Sequence, residues 1–285
     1  MPFTLSTLEE RPFLKNAAVK LIEQCFKYEP KFSFEIDFYP LINSKIFKNN
    51  HLLLNAQEQV VGHIGIKWHT LETTPVALMG GICLHPKLRG KGIFSSFFKE
   101  ILSKCLEQAD GVLLWGPASL YASFGFSAFG YFSFIDKKIT FSSNEENSFR
   151  HLPLENLSQQ QWEKLKQAHQ KTCSQFYSLQ RKEEHWQEIS FIKSSLFFFK
   201  ENPTFEYFFI NKGMDLKNII HEYSLEVLEK EELEIEKNSL TFFSQSFVRL
   251  LKPSLTKTQD PCCLALFKNP LTLHRPLYIS GNESI

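Results

Sequence analysis

Leu84-His85-Pro86-Lys87-Leu88-Arg89-Gly90-Lys91-Gly92-Ile93 joins two segments of different periodicity. Upstream, residues 76–84 are nearly all apolar and read as a central strand. Downstream, Phe94, Phe97, Phe98, Ile101, Leu102 and Leu106 recur at helical spacing, which predicts a helix over 93–106. A strand that passes through a glycine-rich turn straight into a helix leaves several backbone N–H groups unpaired at the helix N-terminus, where the dipole also favours negative charge. Gly90 and Gly92 let the backbone approach a bulky anion, and Arg89 and Lys91 add positive charge. The combination suits a pyrophosphate. It is not a Walker A loop, because no Gly-Lys-Ser/Thr follows, and it is not a GxGxxG turn.

Outward from this segment, residues 12–27 have helical spacing, with Pro12 suited to a first turn. Residues 51–55 and 60–68 read as strands joined by a turn at 56–59. Residues 111–115 form another apolar strand, 119–124 a short helix ending at Gly125, and 128–141 one or two closing strands. The polar, charged stretch at 142–149 sets a boundary between domains at 1–143 and 150–285. In the second half, Ser158 and Gln161 are spaced as a capping box for a helix reaching about Cys173. A second helix is expected over 178–193, then strands at 195–200, 205–211 and 219–227. Helix first and antiparallel strands after is also how the first half begins, so the two halves read as an internal repeat of structure.

The 285 residues suffice for two modest domains, and 43% apolar with 22% charged residues matches a soluble globular chain. A net charge of +1 provides no field to collect nucleic acid or an anionic membrane. No apolar run reaches the ~20 residues that span a bilayer, and residues 1–10 lack the pattern of a secretory signal. The six cysteines show no CxxC pair, so they read as reduced and mostly buried in a cytoplasmic protein, with no metal site. The 29 phenylalanines fit core and strand packing better than an aromatic binding box.

The loop resembles the pyrophosphate loop of the GNAT superfamily of N-acetyltransferases, Gln/Arg-x-x-Gly-x-Gly/Ala, here Arg89-Gly90-Lys91-Gly92-Ile93-Phe94. Phe94 departs from the pattern, standing where the family has Gly or Ala. A second match, Tyr121-Ala122-Ser123-Phe124-Gly125-Phe126, resembles the family's Tyr-x-x-Phe/Leu-Gly-Phe signature. The two motifs lie in the first half. The resemblance implies an α/β fold with a mixed α+β sheet. In it the strand at 79–84 splays from that at 113–116, and acetyl-CoA or another acyl-CoA lies in the gap. Ile82, Cys83 and Leu84 would border the pantetheine arm, and the amides of Arg89, Gly90, Lys91, Gly92, Ile93 and Phe94 would hold the pyrophosphate. An amine, on a small molecule or a peptide, would attack the thioester while Tyr121 protonates the departing thiolate. A phenol with a pKa of ~10 suits that leaving group.

No carboxylate precedes the loop at 77–81, where family members often carry a base. His63, His69, Glu35 and Asp37 could line the acceptor side, but these residue types, and His85 before Pro86, are more often surface or structural residues, and a water relay would remove the need for a side-chain base. The second half has no counterpart of the loop, and the acidic run at 228–238 would repel a pyrophosphate. It resembles the degenerate second lobe of Eis-like tandem-GNAT proteins through element order and through residues 207–213 and 219–223. That resemblance implies a lobe that shapes the acceptor pocket, a monomer, and a terminal carboxylate (here on Ile285) reaching the site. His221 and Glu222 alternate faces on a strand, so at most one can serve the site. A rival reading is an acyl-CoA-binding module without catalysis.

Overall fold

Strand β4 (Thr74–Leu84) is the axis of the molecule, and its residues 76–81 are all buried. The structure is a computed structural model, and it describes residues 3–144, 146–243, 245–257 and 260–283. In chain order the other strands of the first half are β1 (Thr4–Thr7), β2 (Asn50–Leu54), β3 (Val60–Leu71), β5 (Gly111–Leu114) and β6 (Ser127–Ser142). The second half adds β7 (Arg150–His151), β8 (Tyr177–Ser178), β9 (Leu196–Lys200), β10 (Glu206–Ile210) and β11 (Ile219–Tyr223). It ends with β12 (Glu232–Glu236), β13 (Phe247–Ser254), β14 (Asp260–Phe267) and β15 (Leu277–Tyr278). Among the described residues one mixed sheet runs β1-β2-β3-β4-β5-β14-β6-β13-β11-β10-β9-β7, with β12 parallel to β6; β8 and β15 pair separately. The mixed α/β architecture agrees with the sequence reading.

Helices cover both faces of the first half. Helix α1 (Lys15–Phe26) lays Ala18, Val19, Leu21 and Ile22 against Leu52, Leu54 and Cys83. Two single-turn helices, α2 (Phe34–Asp37) and α3 (Tyr39–Ile42), close the same side through Phe34 and Leu41. On the opposite face α4 (Ile93–Gln108) buries Phe97, Phe98, Ile101, Leu102 and Cys105 over Ala77, Met79, Val112 and Leu114. These α4 positions are the i, i+3, i+4 stripe of an amphipathic helix. The short α5 (Ala118–Tyr121) follows β5.

The last long strand of the chain completes the sheet of the first half. β14 lies between β5 and β6, pairing Leu264 with Leu114 and with Ala128. At the end of this pairing Phe267 lies over Gly111, where a Cβ would sit 2.3 Å from the ring, so only glycine fits. β6 in turn pairs with β12 and β13, so the sheet passes without a break into the second half. There the aromatic runs pack on each other: Phe198 stacks on Phe208 across β9 and β10 with centroids 5.1 Å apart. The alternate residues Phe197, Phe199 and Phe209 face Leu165, Trp186 and Ile189. These phenylalanines of β9 and β10 are core packing, as expected.

Helix α6 (Gln159–Cys173) opens on the expected capping box, with Gln161 N–H donating to Ser158 Oγ (3.2 Å) and Ser158 N–H to Gln161 Oε1 (3.0 Å). The helix expected over 178–193 is confined to α7 (Glu183–Ile189). The chain before it is extended because the first half binds it, Gln180 N–H donating to the Thr70 carbonyl and Glu72 N–H to that of Ser178. The strand expected over 219–227 ends at Tyr223, and α8 (Leu225–Glu229) follows. The acidic run contains β12, where Leu233 and Ile235 are buried while Glu232 and Glu234 face solvent.

Arg181, in that extended segment, ties three parts of the second half together. Its guanidinium is bidentate to Glu222 of β11 (2.9 and 3.0 Å), and its Nε donates to Glu283 (3.0 Å). Arg181 and Glu222 side chains are 1% and 0% exposed. Asn282 Nδ2 (2.9 Å) and Ser280 Oγ also donate to Glu222. Removing one partner of such a group leaves the others buried and uncompensated. Arg181→Met is therefore expected to lower unfolding free energy by about 3–5 kcal/mol in urea titrations. A loss below about 1 kcal/mol would mean that the network contributes no more than a surface pair.

Candidate active site

The site lies where β4 and β5 part. Their parallel pairing runs from Val76–Gly111 to Met79–Leu114 and stops there. Beyond Met79, the edge of β4 that faced β5 has no strand partner among the described residues, so 80–84 present main-chain polar groups to a gap. Two features bend the strands apart. Gly81 and Ile82 together oppose one residue of β3, Ile64, forming a bulge with Gly81 at φ +58°. On the other side Gly116 and Pro117 lead the chain away into α5.

His63 holds the bulge. It is fully buried, with ring nitrogens 2.8 Å from the Gly81 carbonyl and 2.9 Å from Asn50 Oδ1, and burial lowers its pKa to about 4. This is a structural role. His69 pairs with Val76, at the other end of β4 from the gap, and lies beside His185 with ring centroids 4.2 Å apart. Glu35 forms an ion pair with Lys15, and His85 caps a single turn by accepting from Lys87 N–H (3.3 Å).

The glycine loop sits at the far end of the gap. Gly90 and Gly92 both adopt φ +74°, and a Cβ on either would meet nothing within 4 Å, so the loop faces open space. Gly92 precedes α4, whose first turn has Ser96 N–H donating to the Gly92 carbonyl (3.2 Å). The amides of Gly90, Lys91, Gly92, Ile93 and Phe94 lie ahead of that bond, at the positive end of a sixteen-residue helix. Arg89 is exposed, but its Nε donates to the Leu84 carbonyl (3.3 Å), which holds the guanidinium beside β4. The Phe94 side chain turns inward, stacking on Phe98 (5.5 Å) and edge-on to Tyr121 (6.4 Å) and Phe124 (6.2 Å). The bulky residue at the family's Gly/Ala position therefore leaves the loop's outer surface clear.

Tyr121 is 3% exposed and turns the edge of its ring to Gly116, where a Cβ would be 2.8 Å from Cε2. Phe98 and Phe126 pack around it, and Gly125 at φ +90° ends the turn that follows. Burial, with a smaller push from Cys83, raises its phenol to about 12, so it stays protonated at neutral pH. Tyr121 and the backbone of Gly80, Gly81 and Ile82 line one cavity of ≈ 440 Å³. The Cys83 side chain points the other way, into the α1 layer.

The second half supplies the opposite wall. Residues 211–218, between β10 and β11, fold over α1 and α2: Met214 Sδ accepts from Glu29 N–H (3.3 Å). Lys212 Nζ lies 4.4 Å from the Phe38 ring centroid. Gly213, at φ +57°, abuts Asp37, where a Cβ would sit 2.6 Å from Oδ2. Met214 and Asp215 then line the Tyr121 cavity. Asp37 is buried, which raises its pKa. Glu222 is committed to Arg181, whereas His221 faces a neighbouring cavity. Ile285 lies outside the described residues.

No family model and no curated protein sequence matches the chain. Solved structures do. A GCN5-related N-acetyltransferase from Kribbella flavida aligns over 93% of this chain and 72% of its own, with TM-score 0.58 and 12% identity. A GCN5-related N-acetyltransferase from Anabaena variabilis aligns over 94% and 73%, with TM-score 0.55 and 17% identity. A candidate acetyltransferase from Pyrococcus horikoshii aligns over 99% and 95%, with TM-score 0.59 and 14% identity. The fold is that of the GNAT N-acetyltransferases, across most of the chain. Among the described residues, no helix is long and apolar enough to cross a membrane.

One thiol beside the loop gives a direct probe of this geometry. Cys25 Sγ lies 3.6 Å from the same Leu84 carbonyl that Arg89 holds. A hydrogen bond from Cys83, then the Arg89 charge, bring its pKa down to about 7. Cys25 is accordingly expected to be alkylated by iodoacetamide with a midpoint near pH 7, thiolate forming above it. Cys83→Ala should move that midpoint up toward the ordinary thiol value of ~8.5. Mass spectrometry of the alpha-helical peptide across pH reads both; an unshifted midpoint in the variant would contradict the arrangement.

Proposed function

We propose that the chain is an acyl-CoA-dependent N-acyltransferase that moves an acetyl or related acyl group to a primary amine. The observation that carries the reading is the β4–β5 gap, with an open anion-binding loop at one end and a buried, protonated tyrosine at the other. The residues present suit an acyl-CoA. The amides of 90–94, with Arg89 and Lys91 beside them, provide for a pyrophosphate, and the bare edge at 80–84 pairs with an amide-bearing pantetheine arm.

In this reading the amine enters from the side walled by Met214 and Asp215, and its nitrogen forms a bond to the thioester carbonyl carbon. The amine attacks in its neutral form, having lost a proton to water. The carbon–sulfur bond then breaks, Tyr121 gives its proton to the thiolate, and the proton shed by the attacking nitrogen returns through water to the phenolate. No metal is required. Residues 1–143 carry the cofactor loop and the acid. Residues 150–285, apart from the strand β14 that they lend to the sheet of the first half, act as a degenerate second lobe that completes the acceptor wall, which makes a monomer self-sufficient, in the cytoplasm.

Calorimetric titration of acetyl-CoA is expected to give micromolar binding that Gly92→Glu abolishes, because a carboxylate would occupy the anion site. Absence of binding by the unmodified protein would sink the reading. Tyr121→Phe should retain binding and lower kcat by roughly 10²–10⁴-fold, the usual scale of general acid catalysis. Retained binding with no turnover of any amine by the unmodified protein would favour the non-catalytic binding module.

A further inference from the structure

The Tyr121 cavity adjoins a second one of ≈ 310 Å³, and the two share Phe38, Trp115 and Asp215 on their linings. We infer that the second cavity seats the body of the acceptor, an aromatic or similarly apolar primary amine with a hydrogen-bond donor at its far end. Asp215 reads the ammonium end and His221 the distal donor. The inference rests on the acyl-transfer reading above and adds the substrate class.

The shared rim defines the amine end. Asp215 is exposed and lines both cavities, the one carboxylate among the described residues on their shared rim. Lys212, which lines the second cavity, is brought down to about 7 by burial, with Lys67 adding to the effect against Asp37 and Asp215. Its Nζ also donates to the Gly281 carbonyl (2.5 Å) and lies over the Phe38 ring. Beyond the rim the walls are mainly apolar, formed by Phe132, Leu216, Leu251, Cys262 and Ile279, with Lys212 among them.

His221 defines the far end. Its side chain lines the cavity and is fully buried. Nε2 lies 2.8 Å from the Asn211 carbonyl, which only accepts, so Nε2 carries the proton and Nδ1 presents its lone pair. Burial lowers the pKa to about 4, which keeps the ring neutral. Nδ1 is buried and has no hydrogen-bond partner in the structure. A buried acceptor of this kind is matched by a ligand hydroxyl or N–H. An acyl chain in the cavity would leave it unmatched. A polyamine would bring a second ammonium against carbon walls, and an amino acid would set its carboxylate near Asp215.

The test is steady-state acylation from acetyl-CoA with tyramine, 2-phenylethylamine, spermidine and glycine as acceptors. Tyramine is expected to exceed 2-phenylethylamine in kcat/KM by about tenfold, the effect of one matched buried hydrogen bond, with spermidine and glycine far below both. His221→Phe should equalise tyramine and 2-phenylethylamine. Because His221 is buried, Asp215→Asn, at an exposed position, is the second variant. It should raise KM for tyramine by about tenfold, as expected for a bond to a charged group, while acetyl-CoA binding by calorimetry stays unchanged. Equal use of the two arylalkyl amines by the unmodified protein, preference for spermidine or glycine, or an unaltered KM in Asp215→Asn would each overturn the inference. So would tenfold better turnover of tyramine with octanoyl-CoA, which would assign the cavity to the acyl chain. Intact acetyl-CoA binding without tyramine turnover defeats this inference alone; loss of that binding defeats the acyl-transfer reading with it.

Discussion

Everything in the site depends on the parting of β4 from β5 after Met79 and Leu114. A parallel pair deep in a sheet ordinarily keeps its hydrogen bonds to the strand ends, because an unpaired buried main-chain group is costly. Here three local constraints act together. The bulge at Gly81 and Ile82, pinned by buried His63, bends β4. Gly116 and Pro117 take the chain out of β5. β14 holds β5 from its other side over Gly111–Leu114, so β5 cannot follow β4. The gap that results has the loop amides beyond one strand and Tyr121 after the other.

The second half bears on the gap at two places. The turn at 211–218 lies over α1 and α2 and brings Asp215 to the rim. Arg181 binds Glu222 and Glu283, and so holds the segment containing Ile279 and Gly281 against β11, where both residues line the second cavity. The same extended segment hydrogen-bonds to β3 through Gln180. A buried ion cluster contributes little net stability compared with well-packed carbon. Its consequence here is geometric, fixing the acceptor side relative to the cofactor side.

Local patterns carried much of this in the sequence. The strand, glycine loop and helix over 76–106 were legible because each has its own periodicity, and Ser158 with Gln161 marked the start of α6 by reciprocal capping. Tyr121 was legible only through the resemblance of residues 121–126 to the GNAT signature, whose glycine, Gly125, takes the left-handed turn. What could not be read depends on distant partners. β14 is a short apolar run whose neighbours, β5 and β6, lie more than a hundred residues earlier in the chain. The helix over 178–193 was misread because tertiary hydrogen bonds to Thr70 and Glu72 override helical spacing. β12 was hidden by its glutamates, although its alternation of Leu233 and Ile235 with charge is that of a half-buried strand. Asp215 sits in an exposed turn, and no spacing in the sequence relates it to Tyr121.

The central claim is that one gap in the first half, and no part of the second, holds the cofactor. Hydrogen–deuterium exchange with and without acetyl-CoA tests this most directly, since it reads backbone amides individually. The account predicts slowed exchange at 80–84 and 90–94 on addition of acetyl-CoA, with no change at 228–238. Protection confined to the second half, or absent from the glycine loop, would contradict it.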